Sequence, residues 1–593
     1  MRNRRGAFAT RARIRIFPFR PALGRSRMRL VARGGLGLTV VAALLASGLG
    51  EGTAQAGSAT RAAGSTTPPR VTAPARPHAV APIVAEIAIP DVAAAGASTA
   101  GGRRVAAQLT DRATGNFRMV AVTWDHLSAP AKMKIQVRVR DAGSWSRWRR
   151  LDVDGDGPSG TQEKSTVPDG TVPFWVDHAT GVDVRVWVPV AAKAPTHLKV
   201  STIDPGVSAF DSTIAADDQI WAGGQPLPGS AALKGKAPTA LLQPKIITRK
   251  QWGVDPSLGD ACWAPRYGRT IKMVFVHHTA ESNNYTEKES ASIVRGIYAY
   301  HTQSRAWCDI GYNFLVDRYG NVFQGRRGGI RKPVRGAHAG DYNVGSAGIS
   351  LMGNFEHATP PPVMRRALVR LIAWRLGTSY RPARGWTEVY GSKFRRISGH
   401  RDAMATACPG QVVYDWLPTL RARVAKRIGD FHTAIYNKWM DEGGANGFLG
   451  LPFMGEHWQQ GGWFTVFDHG RIYSKKPAGT HELHGAILAK YRRLGGIGSR
   501  LGFPTTDVWK TTAPGAVHAS FQLGRIYSKP RTGTHWIYGS ILSAWVKQGQ
   551  STGPLGLPTS DVYDVSVGKR QDFQHGTATW NATTKKTTVV YDS

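Results

Sequence analysis

Ile271-Lys272-Met273-Val274-Phe275-Val276 runs directly into His277-His278. A short apolar run of this kind reads as a buried strand with the two histidines at its end. Consecutive strand side chains face opposite sides of a sheet, so His277 and His278 do not easily serve one metal together. Downstream, Thr286 and Glu289 form a capping box. The helix it opens has apolar spacing at Ile293, Val294, Ile297, Tyr300 and His301. Tyr312-Asn313-Phe314-Leu315-Val316 predicts a strand, and Asp317-Arg318-Tyr319-Gly320 turns it toward Asn321-Val322-Phe323-Gln324 as a hairpin. Residues 347–352 predict another strand, and Met364, Leu368, Leu371, Ile372 and Arg375 mark a second helix. Residues 244–430 therefore read as one α/β domain that mixes strands and helices.

Ser398-Gly399-His400-Arg401-Asp402 and Thr406-Ala407-Cys408-Pro409-Gly410 close this domain. His400 and Cys408 are eight residues apart on a loop bounded by Gly and Pro, which can bring an imidazole and a thiolate to one point. A third ligand has to come from elsewhere, and His277 at its strand end is the best offer. Two His and one Cys leave a fourth tetrahedral position open, the arrangement of catalytic zinc. On spacing alone, a buried free thiol with two polar surface histidines is the competing reading.

Outside this domain the chain changes character several times. Residues 1–56 hold eleven Arg and one acid, Glu51. Arg29 and Arg33 precede an apolar stretch from Leu36 to Leu49, and Ala54-Gln55-Ala56 follows as a small-x-small cleavage pattern. This predicts a secretory signal peptide, with translation starting at Met1 or Met28 and an uncleaved anchor as the alternative. Residues 57–100 are rich in Ala, Pro, Ser and Thr and predict a linker. Residues 101–204 alternate apolar and polar at 120–124, 134–139 and 182–188, which predicts a small all-β domain resembling a sandwich. Residues 205–243 predict a second linker.

Net charge is +37 over 593 residues, of which the first 56 contribute +10. The remaining +27 is spread without a basic run of the kind that tracks phosphates, so nucleic acid is not the expected partner. With 20% charged and 41% hydrophobic residues, the composition excludes a disordered chain, and three cysteines exclude a disulfide-rich scaffold.

Residues 431–593 repeat. Leu449-Gly450-Leu451-Pro452, Leu501-Gly502-Phe503-Pro504 and Leu555-Gly556-Leu557-Pro558 start 52 and 54 residues apart. Trp439, Tyr491 and Trp545 each stand ten positions before a motif. A fixed period means stacked similar units, with these aromatics as core rather than ligand platforms.

Asp152, Asp154, Asp156, Gly157 and Glu163 fit the calcium-loop pattern D-x-D-x-D-G-x5-E. An EF-hand needs flanking helices. Arg149-Arg150-Leu151 is strand-like and Pro158 and Gly160 disfavour a following helix, so the segment reads as an acidic, solvated β-turn.

Val276-His277-His278-Thr279, Trp307-Cys308-Asp309-Ile310-Gly311-Tyr312-Asn313-Phe314, Gly336-Ala337-His338-Ala339-Gly340, Met352-Gly353-Asn354-Phe355 and the His400 and Cys408 segments resemble, in order, the peptidoglycan-recognition-protein and type-2 N-acetylmuramoyl-L-alanine amidase family. The C-terminal array resembles the LGFP repeats of actinobacterial wall enzymes. The resemblance implies a mixed β-sheet flanked by helices, with Zn2+ on His277, His400 and Cys408 in a surface groove. It implies Tyr312 as catalytic tyrosine. Thr406 stands where some members have lysine, which leaves the second proton-transfer group open. It implies His301, His338 and Asn343 around the substrate groove. The expected activity is hydrolysis of the amide between N-acetylmuramic acid and L-alanine, in a secreted protein associated with the cell wall. Peptidoglycan is the expected partner, with arabinogalactan or another wall glycan on the repeats and no stable membrane span. The alternative is a peptidoglycan-binding wall protein without turnover. Receptors of the family lack the zinc cysteine, and Cys408 is present here.

Cys262 and Cys308 remain. In an exported protein two spare cysteines are expected to pair, closing a loop of 46 residues, a bridge contributing roughly 3–4 kcal/mol.

Overall fold

The computed structural model describes residues 76–158, 167–214, 220–222, 225–226, 243–259, 264–431 and 433–593. The expected signal peptide, residues 57–75 of the first linker, Glu163 and Cys262 lie outside them.

The N-terminal domain is all β. Its main strands are β1 (Ile83–Ala88), β2 (Arg103–Trp124), β3 (Lys134–Asp141), β4 (Phe174–Pro189) and β5 (Lys199–Asp204). Four short strands complete a nine-stranded sheet in the order β1-β5-β2-β4-β3, followed by Ser144–Trp145. The strands form one ladder rather than two separate sheets, because β2 and β4 are long and shift register at several bulges. Val105, Phe117, Val120, Val122, Ile135, Val184, Val186 and Val200 fill its interior. The linker expected at 57–100 is partly structured, since β1 pairs antiparallel with β5 from Ile83–Asp204 to Ala88–Lys199. Its Ala- and Pro-rich surroundings concealed a partly exposed edge strand.

The central domain has a five-stranded sheet built from β6 (Met273–His278), β7 (Phe314–Val316), β8 (Val322–Gln324), β9 (Ser346–Leu351) and β10 (Ile397–Gly399). Its order is β8-β7-β9-β6-β10, with β7–β8 an antiparallel hairpin and the other pairs parallel. Parallel strands need both faces covered. Helices α1 (Ser290–Ala299), α2 (Pro362–Gly377) and α3 (Gln411–Ile428) cover them. Val274, Val276, Phe314 and Ile349 pack against Leu368, Leu371, Leu417 and Leu420 of α2 and α3. The opposite face packs on α1, and here the β-domain joins in. Met119, Ala121, Trp175 and Ile203 share one core with Ile293, Val294, Ile297 and Tyr298. The expected second linker also contributes. Asp211 forms a buried ion pair with Arg295 at 2.7 Å, and Arg295 further donates to the Pro205 carbonyl at 3.1 Å.

Residues 434–591 form three units, each a short helix followed by a four-stranded antiparallel sheet. The aromatic ten residues before each motif is core, as expected. Trp439 Nε1 donates to the Gly450 carbonyl at 3.0 Å, the Tyr491 hydroxyl to Gly502 at 2.6 Å, and Trp545 Nε1 to Gly556 at 2.9 Å. The three acceptor glycines have φ of 71°, 70° and 69°, the left-handed region, which explains an invariant Leu-Gly within this chain. The first unit is seated on the central domain, where Tyr380 shares a core with Ile435, Trp439 and Leu449. No helix among the described residues is long and apolar enough to cross a membrane.

Candidate metal centre

β6 ends the sheet at its centre, and His277, paired with Ser350 of β9, points to the face opposite Val276. The loop after β10 carries the partners. The Arg401 amide donates to the Cys408 carbonyl at 2.9 Å, which folds His400 and Cys408 back on each other. Donor atoms of His277, His400 and Cys408 all lie within 4.8 Å of one another, and all three residues are buried. Cys408 Sγ is 3.7 Å from His277 Nδ1, and the two imidazole centroids are 4.5 Å apart. His278 faces away, as strand alternation requires, and its Nδ1 accepts from the Phe355 amide at 3.2 Å.

The electrostatics suit a cation. Burial depresses His277 far below the ordinary imidazole range and His400 to about 3, so both rings are neutral and present lone pairs. Burial, with Asp156 adding to it, pushes the Cys408 thiol up. A divalent ion reverses that, because coordination deprotonates a thiol. Two neutral imidazoles and a sulfur, whose donor atoms converge in a buried pocket, fit Zn2+.

Tyr312 stands two residues before the first residue of β7, its ring 5.3 Å from that of His277. Burial raises its pKa, so the hydroxyl keeps its proton. Thr406 Oγ1 accepts from the Cys408 amide at 3.2 Å and lines the same cavity of about 210 Å³. His338 does not face an open groove. Its Nδ1 lies 3.2 Å from His277 Nε2. Its seat exists because Gly336 and Gly348 have no side chain; a Cβ on either would come within 2.3 or 2.4 Å of the ring. Asn343 is likewise buried, and its Oδ1 accepts from the His338 and Ala339 amides at 2.9 and 3.0 Å. His301 sits in the π-turn Tyr300–Ser304 that ends α1, stacked on Trp307 at 4.4 Å. Its Nδ1 accepts from the Gly311 amide at 3.2 Å. His338 thus contacts His277, Asn343 holds the His338 segment, and His301 holds the segment that leads into Tyr312.

The acidic segment 152–158 is the main correction. It is not a solvated turn. Asp154 and Asp156 are buried against the central domain, with side-chain exposures of 7% and 4%. Asp154 pairs with Arg305 at 2.6 Å, so a guanidinium already meets its charge. Asp156 Oδ1 lies 3.3 Å from His400 Nδ1 and 3.6 Å from His277 Nδ1. The motif itself was visible in the sequence, but nothing local tied it to a histidine more than a hundred residues away. Glu281 carries no sequence motif that marks it. It is a buried carboxyl, raised by burial, on the wall of a neighbouring groove of about 790 Å³ that also touches His278 and Ala407. Cys308 is disulfide-bonded and Cys408 is a free thiol.

The signature of the N-acetylmuramoyl-L-alanine amidase family matches residues 267–411. That of the Rv3811 N-terminal galactose-binding domain-like family matches 62–204, and LGFP repeats match 449–498, 501–553 and 555–593. Peptidoglycan recognition protein 1 of Bos taurus is 35% identical over 170 residues, covering 28% of this chain and 80% of that protein. Peptidoglycan-recognition protein SC1a of Drosophila melanogaster is 31% identical over 175 residues, covering 29% and 82%. The solved structure of wild-type Drosophila PGRP-LB is 28% identical, covers 30% of this chain and 93% of that one, and gives a TM-score of 0.25. The chain belongs to the family of peptidoglycan recognition proteins and N-acetylmuramoyl-L-alanine amidases, with LGFP repeats at its C-terminus.

Proposed function

We propose that this chain is a secreted, zinc-dependent N-acetylmuramoyl-L-alanine amidase that cleaves the amide between N-acetylmuramic acid and L-alanine in peptidoglycan and is held at the cell envelope by its LGFP repeats. The observation that carries this reading is the convergence of His277, His400 and Cys408 on one point, with Tyr312 beside them. A receptor without turnover has no use for the buried thiol at the third corner.

Zinc bound there supplies a Lewis acid for the amide carbonyl and lowers the pKa of water toward about 7. The chain's own residues do the rest. His277, held through His338, and His400 present neutral imidazoles, and Cys408 supplies a thiolate. Tyr312, kept protonated by burial, donates a hydrogen bond to the developing oxyanion, an effect of roughly 3 kcal/mol where such donors have been removed. Thr406, on the cavity wall, is the candidate for the second proton-transfer group.

The test is release of new amino-terminal L-alanine from peptidoglycan by the purified full chain. Release, however slow, that requires zinc and disappears in Cys408→Ala supports the reading; zinc-independent release, or none from any metal-loaded form, contradicts it. For the tether, deletion of 431–593 would uncover Tyr380 and deletion of 501–593 would uncover Tyr491, so both truncations are compared and each is checked for melting temperature. The tether expects near-normal hydrolysis of soluble muropeptides and reduced retention on isolated walls. Unchanged retention would sink it.

A further inference from the structure

The loop Asp152–Pro158 belongs to the β-domain, yet its tip lies among the metal donors of the central domain. Asp156 Oδ1 is buried and has no hydrogen-bond partner. A buried carboxylate oxygen left unpaired costs several kcal/mol unless a cation or donor meets it. The carboxyl interacts with the Tyr312 hydroxyl, and its Oδ1 approaches His400 Nδ1 at 3.3 Å and His277 Nδ1 at 3.6 Å, with His277 Nδ1 in turn 3.7 Å from Cys408 Sγ. Zinc bonds of about 2.0–2.3 Å in a tetrahedron set donor–donor edges of roughly 3.3–3.6 Å. The carboxylate oxygen is therefore one tetrahedral edge from each of the two imidazole donors.

We propose that Asp156 is the fourth ligand of the metal held by His277, His400 and Cys408, and that the β-domain loop thereby closes the position through which water and substrate would enter. The proposal rests on the zinc-amidase reading and adds that the chain in this conformation is latent.

The loop is built for that placement. Asp154 Oδ1 accepts from the Asp156 amide at 2.9 Å, fixing the turn that presents the carboxylate. Asp154 Oδ2 accepts from Arg305 Nη1 at 2.6 Å, and the Asp154 amide donates to the Gly170 carbonyl at 2.9 Å. Asn343 Nδ2 donates to the Gly157 carbonyl at 3.0 Å. A Cβ on Gly155 would stand 3.7 Å from both His400 Cε1 and Thr406 Cβ, so the loop faces the ligand loop directly, and the two line one cavity of about 210 Å³. Behind the loop, the Tyr300 hydroxyl donates to the Thr171 carbonyl at 2.7 Å, and the shared core of Met119, Trp175, Ile293 and Ile297 docks the whole β-domain. Catalysis then requires the loop to leave the cleft.

The test uses the full chain loaded with Co2+ in place of zinc, titrated with acetohydroxamate and followed by the cobalt absorption bands. Wild type is compared with Asp156→Ala and the near-isosteric Asp156→Asn, each checked for metal content and melting temperature. The proposal expects a changed cobalt spectrum in both variants. It expects acetohydroxamate to bind them roughly tenfold or more tighter than wild type, because an intramolecular competitor is gone. It expects release of amino-terminal L-alanine to rise by a similar factor. Folded, metal-loaded variants with the wild-type spectrum and wild-type hydroxamate affinity would overturn it while leaving the amidase reading intact. Tighter hydroxamate binding without any L-alanine release would support the fourth ligand and overturn the amidase. Absence of metal from wild type and variants alike would overturn both.

Discussion

His277 Nε2 lies 3.2 Å from His338 Nδ1, and the two rings meet edge to face with centroids 5.1 Å apart. Nδ1 of His277 is the atom turned to Cys408, so with a metal on Nδ1, as proposed, Nε2 would carry the proton and donate to His338, which would fix the tautomer and the ring plane. His338→Ala is expected to weaken zinc binding by roughly 10–100-fold, measured by competition with a chromophoric chelator. An unchanged zinc affinity would return His338 to the substrate-binding role that the sequence suggested.

Tyr312→Phe removes one hydroxyl and keeps the ring that packs against His277. We expect full zinc content and a loss of kcat of roughly 10²–10³ with a small change in KM. A KM effect without a kcat effect would make Tyr312 a binding residue only.

The proposed function divides the cysteines into one ligand, Cys408, and one bridge. Mass spectrometry of non-reduced peptides is expected to link Cys308 to Cys262, with Cys408 alkylated only after zinc is removed. A bridge that includes Cys408 in active protein would overturn both assignments.

Glu456 couples the first repeat to the central domain, accepting from the Tyr380 hydroxyl at 2.6 Å and also from Thr433. Burial raises its pKa from 4.5 to about 7. A carboxyl raised on folding binds its proton more tightly in the native state. Its contribution is full below about pH 4.5 and is lost as pH rises through about 7, a total on the order of 3 kcal/mol. Nearby His457, lowered to about 4 by burial, works in the opposite sense, so a difference between variants is the clean readout. Glu456→Gln keeps an acceptor and cannot ionise. Its melting temperature should match wild type near pH 5 and exceed it at pH 8. Parallel curves at all pH values would contradict the raised carboxyl.

Much of this site was legible because its residues announce themselves locally. His277 ends an apolar strand, and His400 and Cys408 share one short loop. The Thr286–Glu289 cap and the aromatic-to-glycine interval of the repeats were equally readable, and Glu289 does accept from the Thr286 amide at 2.8 Å. What escaped were contacts between distant segments. Strand β1 hid in Ala- and Pro-rich sequence because an edge strand pairs on one side and needs little apolar patterning. Residues 205–214 read as linker although Asp211 is half of a buried pair, since one acid in a Gly/Ala stretch carries no signal of its partner. Asp156 stood in a motif whose familiar meaning was calcium, and only the docking of two domains gives it another. His338 and Asn343 were found by resemblance, and both are buried here, with Asn343 bonded to the Gly157 carbonyl of the docked loop.

The central claim is hydrolysis by a His-His-Cys zinc site, and end-group analysis tests it most directly. Peptidoglycan is incubated with the zinc-loaded Asp156→Ala chain and, in parallel, with the same chain carrying Cys408→Ala as well. The account predicts new amino-terminal L-alanine with the first and none with the second. A folded, zinc-loaded Asp156→Ala chain that binds peptidoglycan yet liberates no L-alanine amino terminus would contradict it.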